Sequence, residues 1–141
     1  MKRSIKLTLE PIVESSLIAE RKMSREMGAV NYFSGIVREG EEGKTIKAIK
    51  YEAFEKMVLH QFDLILNEIE ERWPIESIRL VHRTGKVKVN ESSLWIEVIS
   101  PHRTEAFEAC QWLIDEMKKR VPIWKQPIFT EVDLDEFAKG S

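Results

Sequence analysis

A chain of 141 residues, 43% hydrophobic and 33% charged, has the size and composition of one globular domain, 1–141, with room for a single core. Its 22 Lys and Arg stand against 24 Asp and Glu, a net charge of -2, so there is no global pull toward nucleic acid and any anion site must be local. No apolar run approaches the roughly 18 residues that cross a bilayer, the opening MKRSIKLTLEP lacks the pattern of a secretory signal, and the lone Cys110 permits no internal disulfide, so a cytoplasmic protein is expected.

In chain order, SIKLTLE (4–10) alternates Ile5, Leu7 and Leu9 with polar residues, the pattern of a half-buried strand. ESSLIAERKMS (14–24) predicts a short helix with Ser15 or Ser16 as N-cap, ending before Gly28. GAVNYFSGIVR (28–38) is rich in β-branched and aromatic residues and predicts a strand, with Gly35 marking a bulge or close backbone approach before Arg38. EGEEGK (39–44) predicts a mobile loop, and TIKAIKYEAF (45–54) another strand. From Phe54 to Trp73 the apolar positions Phe54, Met57, Val58, Phe62, Ile65 and Ile69 recur at helical spacing until Pro74 stops the helix.

SIRLVHR (77–83) and SLWIEVIS (93–100) predict two more strands, with TGKVKVNES between them as a short extended piece. The last helix is expected from Arg103 to Lys119, capped by Ser100 and Pro101, with Phe107, Cys110, Leu113, Ile114 and Met117 on its inner face. Pro122 forbids its continuation. Helices crossing between strands, with hairpin-like pairs among the later ones, predict an α+β domain with a mixed sheet and about three helices.

Familiar catalytic sets are missing from the sequence. His60, His82 and His102 with one cysteine make no zinc spacing, and no GxxxxGK[ST], GxGxxG or GxSxG occurs, so neither a metal nor a cofactor is expected. What remains is a set of basic residues at element ends: Arg38 after a strand, His102 and Arg103 at a strand-to-helix turn, and Lys118 and Lys125 bracketing KKRVPIWK (118–125). In the first helical turn, His102 and Arg103 would act with exposed backbone N–H groups on an anion. Taken singly, Lys118, Lys119 and Arg120 read as complements to a helix dipole. Lys125 resists that reading, because Trp124 tends to hold it against the body of the protein. His82, in step with Ile78 and Leu80, reads as a satisfied core histidine, Cys110 as packing, EIEER (68–72) as a solvated helix face, and Trp73, Trp95 and Trp112 as core.

The blocks FSGIVRE (33–39), YEAF (51–54), RWPI (72–75), VHRTGKVKVNE (81–91), SPHRTEAFEAC (100–110) and DEMKKRVPIWK (115–125) together resemble the large, catalytic subunit of molybdopterin synthase, in that family's order, over roughly residues 28 to 125. The resemblance implies an α/β hammerhead-like fold and conversion of cyclic pyranopterin monophosphate to molybdopterin. The two dithiolene sulfurs would come from the C-terminal thiocarboxylate of a small ubiquitin-like sulfur-carrier subunit, in a heterotetramer built on a homodimer of large subunits. It assigns catalysis to Lys118, near the thiocarboxylate, and Lys125, near the pterin, and substrate binding to Arg38, His102 and Arg103, with His102 or Arg103 reaching across the dimer.

One departure stands out. Where the family continues after the final lysine with a basic residue and a glutamate, this chain has Gln126 and Pro127, placed in the substrate-binding region by the same resemblance. The C-terminal stretch IFTEVDLDEFAKGS is also short for a tail that crosses a dimer. The departure is the support for a competing reading, a scaffold that docks a ubiquitin-like protein without turnover. A third reading, an anion- or RNA-binding module, needs a basic face with exposed aromatics, and no nucleic-acid or membrane partner is expected.

Overall fold

Residues 1–41 and 43–130 are described by a computed structural model. The chain runs β1 (Lys2–Thr8), α1 (Glu14–Ala19), β2 (Ala29–Ile36), β3 (Gly40–Glu41), β4 (Lys44–Ala53), α2 (Glu55–Arg72), β5 (Ser77–Arg83), β6 (Gly85–Lys88), β7 (Ser92–Ser100), α3 (Arg103–Arg120) and β8 (Ile123–Phe129). Strands β1, β5, β7 and β2 form one sheet in that order, β1 parallel to β5 and the other pairs antiparallel. The fold is therefore α+β with a mixed sheet, as the element order predicts. A second, antiparallel sheet is built around β4, which pairs with β3, β6 and β8.

Alternation along β5 and β7 sends Ile78, Leu80, Leu94, Ile96 and Val98 toward the helices, where they meet Phe62, Ile65 and Ile69 of α2 and Ala109, Leu113 and Met117 of α3. The opposite face carries Arg79, Trp95 and Glu97. Glu97 is 1% exposed and accepts from Arg79 Nε at 2.7 Å and Nη2 at 2.8 Å and from Arg21 Nε at 2.8 Å. Arg79 Nη2 also donates to the Leu17 carbonyl at 2.7 Å, which ties α1 over this face. A smaller core of Val37, Ile46, Ile49 and Val87 backs the second sheet.

Several local expectations change in the folded chain. Where the sequence predicts a loop, Gly40 pairs with Thr45 and Glu41 with Lys44, and Gly43 adopts φ +78. α1 is capped at Val13 and α3 at His102, neither by a side chain; Ser100 belongs to β7 and its Oγ donates to the His102 carbonyl at 2.6 Å. Phe54 and Met57 are 61% and 57% exposed, and Leu66 takes a buried place in α2 instead. Phe54 is the N-cap in extended conformation, φ -87 and ψ 100, so its four-residue spacing from Val58 does not put it on the buried stripe. In α3 the small Ala106 occupies the inner position and Phe107, one residue on, is 61% exposed.

Trp95 is fully buried, whereas Trp73 and Trp112 are half-buried and meet edge to face at 5.8 Å. The EIEER face is paired rather than merely solvated: Glu70 binds the Met1 amino group and Arg3, and Glu68 binds Arg120. The predicted Gly35 bulge is present as a register shift between Gly35 and Ile36 against β7. Residues 131–141, and with them the expected short tail, lie outside the described residues.

Candidate active site

KKRVPIWK is a helix end followed by a strand that the sequence pattern did not reveal. Pro122 lacks an N–H and pushes Val121 into extended conformation, φ -92 and ψ 123. The Val121 amide closes the last turn on Met117, and the Ile123 amide turns back to Val121. β8 then pairs antiparallel with β4, Ile123 opposite Ala53 and Lys125 opposite Tyr51. With a period of two, Ile123 and Lys125 share one face, while Trp124 turns outward, 52% exposed, and meets Phe54 edge to face at 5.3 Å.

The four cations separate by partner. Arg120 pairs with Glu68 and Glu116, and Lys119 with Glu116 at 3.5 Å. Lys118 and Lys125 have no carboxylate partner among the described residues. Both line one cavity of about 500 Å³. Its floor comes from Phe33, Gly35 and Ile36 of β2, His82 of β5 and Leu94 of β7; α3 supplies Ile114 and Met117, and the far wall is Tyr51 and Ile123. The cavity lies where the two sheets and the end of α3 converge. Two ammonium groups beside apolar and aromatic walls suit a flat heterocycle carrying negative charge.

The other expected residues do not line this cavity within the protomer. Arg38, two residues beyond Ile36, has a side chain 79% exposed and reaches Glu41 only at 3.9 Å. His102 and Arg103 are exposed at the opposite end of α3 from Lys118. Gln126 and Pro127 follow Lys125 on β8, opposite Lys50 and Ile49, outside the cavity wall. Phe33, Tyr51 and His82 line the cavity, and sequence reasoning did not single them out as candidates for it. Alternation placed His82 correctly on the helix-facing side, but not at a strand end that opens onto a cavity. Among the described residues no cluster of three or more His, Cys, Asp or Glu is placed to hold a metal, and no helix is long and apolar enough to cross a membrane.

A model of the MoaE protein family matches residues 7–120. Molybdopterin synthase catalytic subunit 2 of Aedes aegypti is 40% identical over 128 residues, 90% of this chain and 82% of that one. The crystal structure of molybdopterin synthase from Staphylococcus aureus has a TM-score of 0.80 at 34% identity, covering 88% of this chain and 90% of that one. A complex of subunits 1 and 2 of the Helicobacter pylori molybdopterin-converting factor shares the fold, with a TM-score of 0.72 at 20% identity over 91% of this chain and 89% of that chain.

Proposed function

The chain belongs to the MoaE family, and from that premise we propose how its residues carry out the reaction. Its function is that of the molybdopterin synthase catalytic subunits, sulfur transfer in molybdenum cofactor biosynthesis. The observation that carries the site assignment is the pair Lys118 and Lys125, unpaired with any carboxylate among the described residues and facing one cavity.

In this reading the substrate is cyclic pyranopterin monophosphate, its ring system held against Phe33 and Tyr51. The sulfur donor is the C-terminal thiocarboxylate of a small ubiquitin-like subunit; the similar fold from Helicobacter pylori is a complex of two subunits of molybdopterin-converting factor, which supports a second subunit here. The thiocarboxylate sulfur forms the new C–S bond to a carbon of the pyranopterin as that carbon's C–O bond breaks, its oxygen leaving on the phosphate or as water. Water then cleaves the acyl–sulfur bond, and the tail leaves as a carboxylate. Lys118 holds the acyl end and Lys125 the negative charge developing on the pterin side. An ammonium in a cavity with low-dielectric walls stabilises such charge more than one in bulk water does. The exposed Phe54–Trp124 pair beside Lys125 offers the incoming subunit an apolar anchor.

Arg38, His102 and Arg103 bind substrate anions, the last two from a second large subunit. Gln126 and Pro127 lie beside the cavity, so the departure they represent leaves its lining unchanged. The test mixes this protein with a thiocarboxylated small subunit and cyclic pyranopterin monophosphate. The parent forms the dithiolene, and Lys118→Ala and Lys125→Ala each lose about 100-fold or more in rate, as expected for removing a group that stabilises transition-state charge. Partner binding without dithiolene formation by the parent would instead establish the scaffold reading.

A further inference from the structure

The side chains lining the cavity that accept an ordinary hydrogen bond are the hydroxyls of Tyr51 and Ser93 and the imidazole of His82. Lys118 and Lys125 can only donate, and the Ser93 hydroxyl hydrogen is directed to the Gly35 carbonyl at 3.2 Å. His82 differs. It is 6% exposed, lines the cavity and meets the Tyr51 ring edge to face at 5.3 Å. Its Nδ1 lies 2.7 Å from the Arg83 carbonyl oxygen. A carbonyl only accepts, so Nδ1 carries the hydrogen. Burial holds the imidazole below its ordinary pKa, outweighing the opposing pull of the Arg83 hydrogen bond, and the ring is neutral. Nε2 therefore presents a lone pair, and among the described residues no hydrogen bond reaches it.

We propose that His82 is a specificity-determining, substrate-binding residue whose Nε2 accepts a hydrogen bond from an N–H donor on the edge of the pterin ring, while the two lysines hold the anionic groups. The inference rests on the pyranopterin assignment above. A fused pterin ring carries N–H donors along one edge, and Nε2 offers them an acceptor that carries no hydrogen of its own, whereas the Tyr51 and Ser93 hydroxyls can donate as well as accept. A buried neutral acceptor meets that need without adding a charge that would oppose the phosphate.

Two substitutions separate this role from a structural one. His82→Asn keeps an amide N–H near Nδ1 for the Arg83 carbonyl and removes the group at Nε2. His82→Gln places its amide oxygen near Nε2. Steady-state dithiolene formation is measured for parent and variants with the thiocarboxylated small subunit, alongside small-subunit affinity and thermal midpoints. The expected result is a KM for the pyranopterin raised about 10- to 100-fold in His82→Asn, with kcat and small-subunit affinity little changed, and recovery of most of that loss in His82→Gln. Parent-like KM in His82→Asn, or equal impairment of both variants, would overturn the proposal while leaving the sulfur-transfer reading intact. A parent that neither binds nor converts the pyranopterin would overturn both.

Discussion

Glu97 shows how a single buried charge holds one face of the main sheet. Burial alone would raise its pKa, but hydrogen bonds from Arg79 and Arg21 outweigh that and hold the carboxyl below the ordinary 4.5. A depressed folded pKa means that this contribution to stability is fully present above the unfolded value and is lost as pH falls through the folded one. Glu97→Gln leaves two guanidinium groups facing a neutral amide. It is expected to cost about 3 kcal/mol in urea unfolding at pH 7, and the gap to the parent should close as the pH drops below 4.5. A gap independent of pH would mean that shape, not charge, matters at this position. The strand was legible in the sequence, with Ile78, Leu80 and His82 in step, and Arg79 falls on its other face. That α1 covers this outward face was not, because the cover comes from residues more than sixty positions away.

At the scale of the element, α3 does two jobs. Its inner face, Ala106, Cys110, Leu113 and Met117, packs on the sheet, and its last turn delivers Lys118 to the cavity. Burial pushes the Cys110 thiol up to about 11. The thiolate is the reactive form, so native protein at pH 8 is expected to resist iodoacetamide for hours and to react within minutes once unfolded, as read by mass spectrometry. Rapid labelling of the native protein would show that α3 lifts from the sheet. The helix was legible from its 3.6-residue period and Pro122. β8 was not, since Lys125, Gln126 and Pro127 break any apolar alternation. It is a strand because β4 offers it a partner, and Pro127 is tolerated where, among the described residues, only one side of the strand is paired.

At the scale of the whole molecule, the distance along α3 decides how the cationic residues can work together. Fifteen helical residues separate Arg103 from Lys118, a rise of about 22 Å. If His102 and Arg103 serve the same chemistry as Lys118, they serve the cavity of a second copy. Lys118→Ala and Arg103→Ala, each inactive alone, then complement on mixing: every mixed dimer contains one intact composite site. Random exchange makes half the dimers mixed, so about a quarter of parental activity is expected. No recovery in a mixture shown by native mass spectrometry to have exchanged subunits would place His102 and Arg103 outside the shared site.

The sequence by itself determined the α+β class, most of the strands and helices, and the family, because periodicity and local block order are properties of neighbouring residues. It also named Lys118 and Lys125. Only the tertiary structure decided that these two face one cavity while Lys119 and Arg120 are engaged by carboxylates of α2 and α3. It alone brought Phe33, Tyr51 and His82 to the same place. Those contacts join β2, β4, β5, α3 and β8, and no local pattern encodes which strand ends will converge once two sheets pack against a helix.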